Sequence, residues 1–102
     1  LAQLQKINIG PPALGIAANF GHTDVVRVLL DAGAEINAVW TGGASSLIMA
    51  SYFGWEDTVC LLLSRGADVT ASHQGFGTPL SAATTRGHRG VVRLLSIAGA
   101  IA

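Results

Sequence analysis

A chain of 102 residues has room for one compact domain and no second one. Six basic side chains balance six acidic ones, so no net field exists to draw in nucleic acid or an anionic membrane. One cysteine excludes an internal disulfide framework and fits a reducing, intracellular and cytoplasmic setting.

No apolar run approaches the roughly 18 residues of a membrane helix. Leu1 to Gly10 lacks the basic start and apolar stretch of a signal peptide. The neutral total conceals a gradient. Residues 12–39 carry Arg27 against Asp24, Asp31 and Glu35, and residues 40–71 carry Arg65 against Glu56, Asp57 and Asp68. Residues 72–102 carry Arg86, Arg89 and Arg93 with no acid.

Residues 1–11 read as an incoming hairpin arm or loop. From there one pattern recurs at a period of 33 residues, giving units 12–39, 40–72 and 73–102 within a single domain, 1–102. In the first unit Leu14, Ala17 and Ala18 have the spacing of a helix face. Gly21 breaks it, Val26, Leu29 and Leu30 start a second face, and Gly33 stands where a left-handed cap would end it. Ala34-Glu35-Ile36-Asn37 then alternates like a strand and runs to Gly42-Gly43, which reads as an arm, a turn and a return arm. The second unit repeats this with Leu47, Ala50 and Ser51, Gly54, then Val59, Leu62 and Leu63, Gly66, and a turn at Gly75-Phe76-Gly77. In the third come Pro79, Leu80, Ala83 and Thr84, Gly87, Val92 and Leu95, and Gly99. Each helix is too short to persist alone in water, so only stacking of neighbouring units can hold it.

Thr78-Pro79-Leu80-Ser81-Ala82-Ala83, Arg86-Gly87-His88, Val91-Val92-Arg93-Leu94-Leu95 and Ala98-Gly99-Ala100 closely resemble an ankyrin repeat, as does Ala17 to Ala38. The resemblance covers residues 12–102 and implies an all-α solenoid of stacked antiparallel helix pairs with projecting β-hairpin loops. It also implies a non-enzymatic module that binds a partner protein through a concave groove and hairpin tips. The residues before each inter-helix glycine would face that groove: Asn19-Phe20, Tyr52-Phe53 and Thr85-Arg86. Phe20, Trp40, Tyr52, Phe53, Gln74 and Arg86 are therefore the expected partner contacts. A structural spacer inside a longer array is the alternative.

Departures from the family pattern carry expectations of their own. The family's Thr-Pro-Leu-His becomes Pro12-Ala13-Leu14-Gly15 and Ser45-Ser46-Leu47-Ile48, so two units are expected to rely on packing where the family uses hydrogen bonds. Ile97, apolar at an outer position, marks the chain as a piece of a longer array. Uncapped end units imply self-association, with Val91, Leu94 and Ile97 as the expected contact.

No cofactor, metal or catalytic residue is expected. His22 and His88 share one repeat position and read as structural, lacking the clustering of a zinc site. His73, at a loop tip, reads as solvated. Cys60 aligns with Arg27 and Arg93 on the outer flank, without a partner for nucleophilic chemistry. Gly75-Phe76-Gly77-Thr78 lacks the third glycine of a dinucleotide fingerprint, and Gly43-Ala44-Ser45-Ser46-Leu47 lacks the last glycine of a nucleophile elbow. Asp24, Glu56 and Asp57 open second helices, where the dipole favours them. Asn37 resembles ankyrin asparagines hydroxylated by an oxygen-sensing dioxygenase; the plainer reading is a side chain bonded within its own hairpin.

Overall fold

Among the described residues, six short α-helices form where the apolar spacing places them. The computed structural model describes residues 11–99, so all but Pro11 of the incoming segment lies outside the described residues. The helices are α1 (Ala13–Asn19), α2 (Thr23–Asp31), α3 (Ser46–Phe53), α4 (Glu56–Ser64), α5 (Pro79–Arg86) and α6 (Arg89–Ile97). Each has seven to nine residues, fewer than an isolated helix needs in water. Packing supplies the difference. Helices α1, α3 and α5 lie side by side as an inner layer, and α2, α4 and α6 form an outer one. The resulting body measures 42 × 28 × 21 Å.

One core runs through all three units. Leu14 and Leu47 from the inner layer meet Val26, Val59, Leu62, Val91 and Leu95 from the outer layer, all fully or nearly fully buried. Ala17, Ala50 and Ala83 fill one repeat position, and their small side chains allow the inner helices to approach closely. Burying a leucine or valine contributes roughly 1.5–3 kcal/mol, so the stack is held by about two such residues per helix pair.

Two caps hold the inner helices, where only the third unit was expected to keep its hydrogen bonds. The Ser45 hydroxyl accepts the Ile48 N–H at 3.3 Å, and the Thr78 hydroxyl accepts the Ser81 N–H at 3.1 Å. Ser45 stands at the repeat position of Thr78, and one hydroxyl there suffices for an N-cap. Ser81 also donates to the Phe76 carbonyl at 3.3 Å, tying α5 to the loop before it. Pro12 caps α1 without any side-chain bond.

The expected β-hairpins do not form: among the described residues there is no strand. The two inter-unit segments each contain one isolated antiparallel bridge, Trp40 with Ala44 and His73 with Gly77. The alternation Ala34-Glu35-Ile36-Asn37 has another cause. The chain turns at residues 36–37 before any ladder can start, and Ala34 and Ile36 are turned in against the core. A 3-10 turn over Thr41–Gly43 then reverses the chain. Backbone groups of these loops are satisfied sideways: the Gln74 N–H donates to the Gly42 carbonyl at 2.9 Å, and the Asp68 N–H to the Asn37 Oδ1 at 2.8 Å. The Asn37 bond therefore crosses between units instead of closing within its own loop.

Ser51 is the one misfit in the core. Its hydroxyl is buried and has no hydrogen-bond partner among the described residues, whereas Ala18 fills the same repeat position. Ser51→Ala is expected to be neutral or to stabilise the fold by up to about 1 kcal/mol, as measured by urea unfolding, because an unsatisfied buried hydroxyl is removed.

Candidate functional site

The inner face is built at the C-terminal ends of α1, α3 and α5 and on the loops that precede α3 and α5. Tyr52, in the last turn of α3, is its centre. Its ring centroid lies 4.4 Å from that of Phe76 and 5.0 Å from that of Phe53, the latter edge-on at 86°. The Arg86 guanidinium sits over the Tyr52 ring, 4.9 Å from its centroid, a cation–π contact. Phe76 in turn stacks on His73 with centroids 4.6 Å apart. Three of the expected contact residues, Tyr52, Phe53 and Arg86, thus share one cluster.

Phe20 and Trp40 belong to a second group. They line an apolar recess with Ile16 and Met49, between the first two units. Trp40 is only half-exposed, because its indole lies across Gly15: a Cβ there would come within 2.5 Å of the ring. The glycine that replaces the family histidine therefore makes room for this tryptophan. Phe20 is 60% exposed, which leaves it open to contact. Gln74 is exposed at the loop tip, held by its backbone to Gly42.

Phe76 is the member that sequence reasoning missed, while His73 was read as a loop-tip residue in solvent. His73 is not merely solvated: its Nδ1 accepts the N–H groups of Gly75 and Phe76 at 2.8 and 3.0 Å and shapes the loop. A signal for this existed, since His73 stands at the repeat position of Trp40, where a ring packs against its own unit boundary. Phe76 was submerged in the Gly75-Phe76-Gly77 turn.

Two rings join the units at the back of this face. Trp55 Nε1 donates to the Asn19 carbonyl at 2.9 Å, and His88 Nε2 lies 2.9 Å from the Tyr52 carbonyl. Both rings close over an inter-helix glycine of the preceding unit, Gly21 and Gly54, whose φ angles are +70° and +81°.

The outer face is chemically plain. Cys60 is free and exposed. Arg27 pairs with Asp24 at 3.2 Å on its own helix, while Asp31 pairs with Arg65 of the next unit at 2.9 Å. Thr70 donates both its hydroxyl and its N–H to Asp68, at 2.6 and 2.8 Å. The hydroxyl bond first, then the backbone bond, holds the Asp68 carboxyl below its usual range. Val91, expected as an exposed contact, is fully buried against α4, and Leu94 is half-buried; Ile97 is 80% exposed. Among the described residues no group of three His, Cys, Asp or Glu could hold a metal ion, and no helix is long and apolar enough to cross a membrane.

The family model described as ankyrin repeats, in three copies, matches residues 2–73. Among solved structures, the human ASB11 ankyrin repeat domain superposes with a TM-score of 0.85 at 30% sequence identity. The match covers 90% of this chain and 42% of that one, so the chain spans less than half of that relative. No curated protein gave a significant match. Beyond residue 73 the pair α5 and α6 repeats the geometry of the two pairs before it. With the matched segment and the three stacked pairs in agreement, the chain belongs to the ankyrin-repeat family, whose domains are non-catalytic scaffolds for protein–protein interaction.

Proposed function

We propose that the chain binds a partner protein in the cytoplasm through its inner face and loop tips. Tyr52 is the central contact, with Phe53, Arg86 and Phe76 beside it and Phe20, Trp40 and Gln74 at the margin. The observation that carries this reading is the Tyr52–Phe76–Arg86 cluster. Aromatic and arginine side chains are the usual energetic anchors of an interface. Here they are fixed against one another before any partner arrives, which lowers the ordering cost of binding. Arg86 has no ion pair among the described residues, so its guanidinium retains donors for a carboxylate or carbonyl of the partner. A spacer would present a bland polar surface at this place.

The test is site-specific crosslinking in the cell that makes the protein. A benzophenone amino acid at position 53 is expected to capture a partner, whereas the same group at position 60 or 93 captures none. Tyr52→Ala should then weaken binding of the captured partner roughly 30-fold, equivalent to about 2 kcal/mol. Capture at positions 60 and 93 with none at 53 would show that the outer face is the binding surface.

A further inference from the structure

The charges of this chain are sorted by layer. All six acidic side chains lie on the outer helices or on the segments just after them: Asp24 and Asp31, Glu35, Glu56 and Asp57, and Asp68. The inner helices α1, α3 and α5 and the loop tips 38–45 and 71–78 carry none. Among these same residues Arg86 is the only lysine or arginine. The inner face is thus apolar and aromatic, with one cation and no acid of its own to neutralise it. Arg86 does not owe its exposure to its place in the chain. Phe53 holds the same repeat position in the middle unit, with a unit packed on either side, and is 39% exposed. Arg86 itself leans back over Tyr52 of that middle unit.

On the reading that a partner docks on this face, we propose that the partner contributes a short segment with one carboxylate, two or three residues from a large apolar side chain. Closing an apolar partner over this face takes Arg86 out of water, and a buried cation without a counterion carries a large desolvation penalty. A carbonyl would leave that charge in place, whereas an aspartate or glutamate neutralises it. The Tyr52 ring holds the guanidinium by its charge and leaves the N–H fork for a carboxylate, which it matches in geometry. The spacing follows from Tyr52, which touches both anchors. Its ring centroid is 5.0 Å from that of Phe53 and 4.9 Å from the Arg86 guanidinium carbon, so Phe53 and Arg86 are within about 10 Å of one another. In an extended segment, residues two apart stand about 7 Å apart on one face; in a polyproline-type segment, residues three apart stand about 9 Å apart. Either lets the apolar side chain rest on Phe53 while the carboxylate meets Arg86.

Panning a phage library of random short peptides against the immobilised full chain tests this. Selected peptides are expected to share an Asp or Glu two or three positions from an aromatic or large aliphatic residue. The benzophenone group at position 53 should capture them. For one such peptide made synthetically, replacing the acid by its amide should raise Kd about tenfold or more in fluorescence polarisation. With Arg86→Gln the acid and amide peptides should bind equally, whereas Arg93→Gln on the outer face should keep their difference. Circular dichroism should show both variants folded, since both side chains are exposed. A library that yields no binder, or binders without a shared acid, would overturn the proposal and leave the inner face in place. So would an acid preference that survives Arg86→Gln, or one lost equally with Arg93→Gln. Capture of the selected peptides at position 60 or 93 and not at 53 would overturn the inner-face reading with it.

Discussion

Leu62→Ala is expected to destabilise the chain by about 2–5 kcal/mol and to unfold it as one unit. Leu62 is fully buried at the centre of the middle unit, where α4 meets the inner layer and both neighbouring outer helices. Truncation removes buried methyl groups and leaves a cavity that short helices cannot close without losing other contacts. A solenoid amplifies the loss, because each unit is held only by the ones beside it. Among the described residues, the middle unit packs against both of the others and so links them. Urea unfolding followed by circular dichroism should therefore show one transition at a lower midpoint. Amide exchange should accelerate in α1 and α6 as much as in α4. Loss confined to α4 would show that the units fold independently.

Gly54→Ala is expected to cost about 2–3 kcal/mol, a large effect for one methyl group. The residue sits at φ +81°, a conformation that costs an L side chain roughly 1–2 kcal/mol. Its Cβ would also stand 2.5 Å from Nδ1 of His88, so the ring must move away from the Tyr52 carbonyl. Losing that bond adds about 1 kcal/mol. The control is Gly66→Ala, where φ is +84° but nothing lies within 4 Å of the new Cβ. Thermal melts should place Gly66→Ala well above Gly54→Ala, and equal melting temperatures would mean that the ring contact contributes nothing.

The helices were legible in the sequence because their apolar residues can be buried in only one way. Leu14, Leu47 and Leu80 recur in phase, and the glycines that end each helix stand at left-handed angles, as with Gly54 and Gly66. The loops were misread for a physical reason. Alternation in Ala34-Glu35-Ile36-Asn37 records only which side chains turn inward, and an inward-facing turn gives the same pattern as a strand. The candidate face was half legible. Phe53 and Arg86 occupy one repeat position on neighbouring helices, with Tyr52 a residue before it, so spacing alone reveals that they are close. The stacking of Phe76 on His73 within one loop, and the fit of Trp40 over Gly15 of the preceding unit, depend on side-chain packing that apolar spacing does not encode.

The rings of Trp55 and His88 both reach back along the chain, never forward: the later unit supplies the ring and the earlier one the carbonyl and the glycine under it. This polarity matches the order of synthesis, in which the carbonyl and the glycine are made before the ring that covers them. The receiving half of each joint is a backbone carbonyl and a glycine, which can wait in water without an unburied aromatic ring. The closing half arrives with the helix that will bury it. A mirror-image joint, with the ring on the earlier unit, would leave an indole or imidazole waiting against nothing while the next helix was still being made.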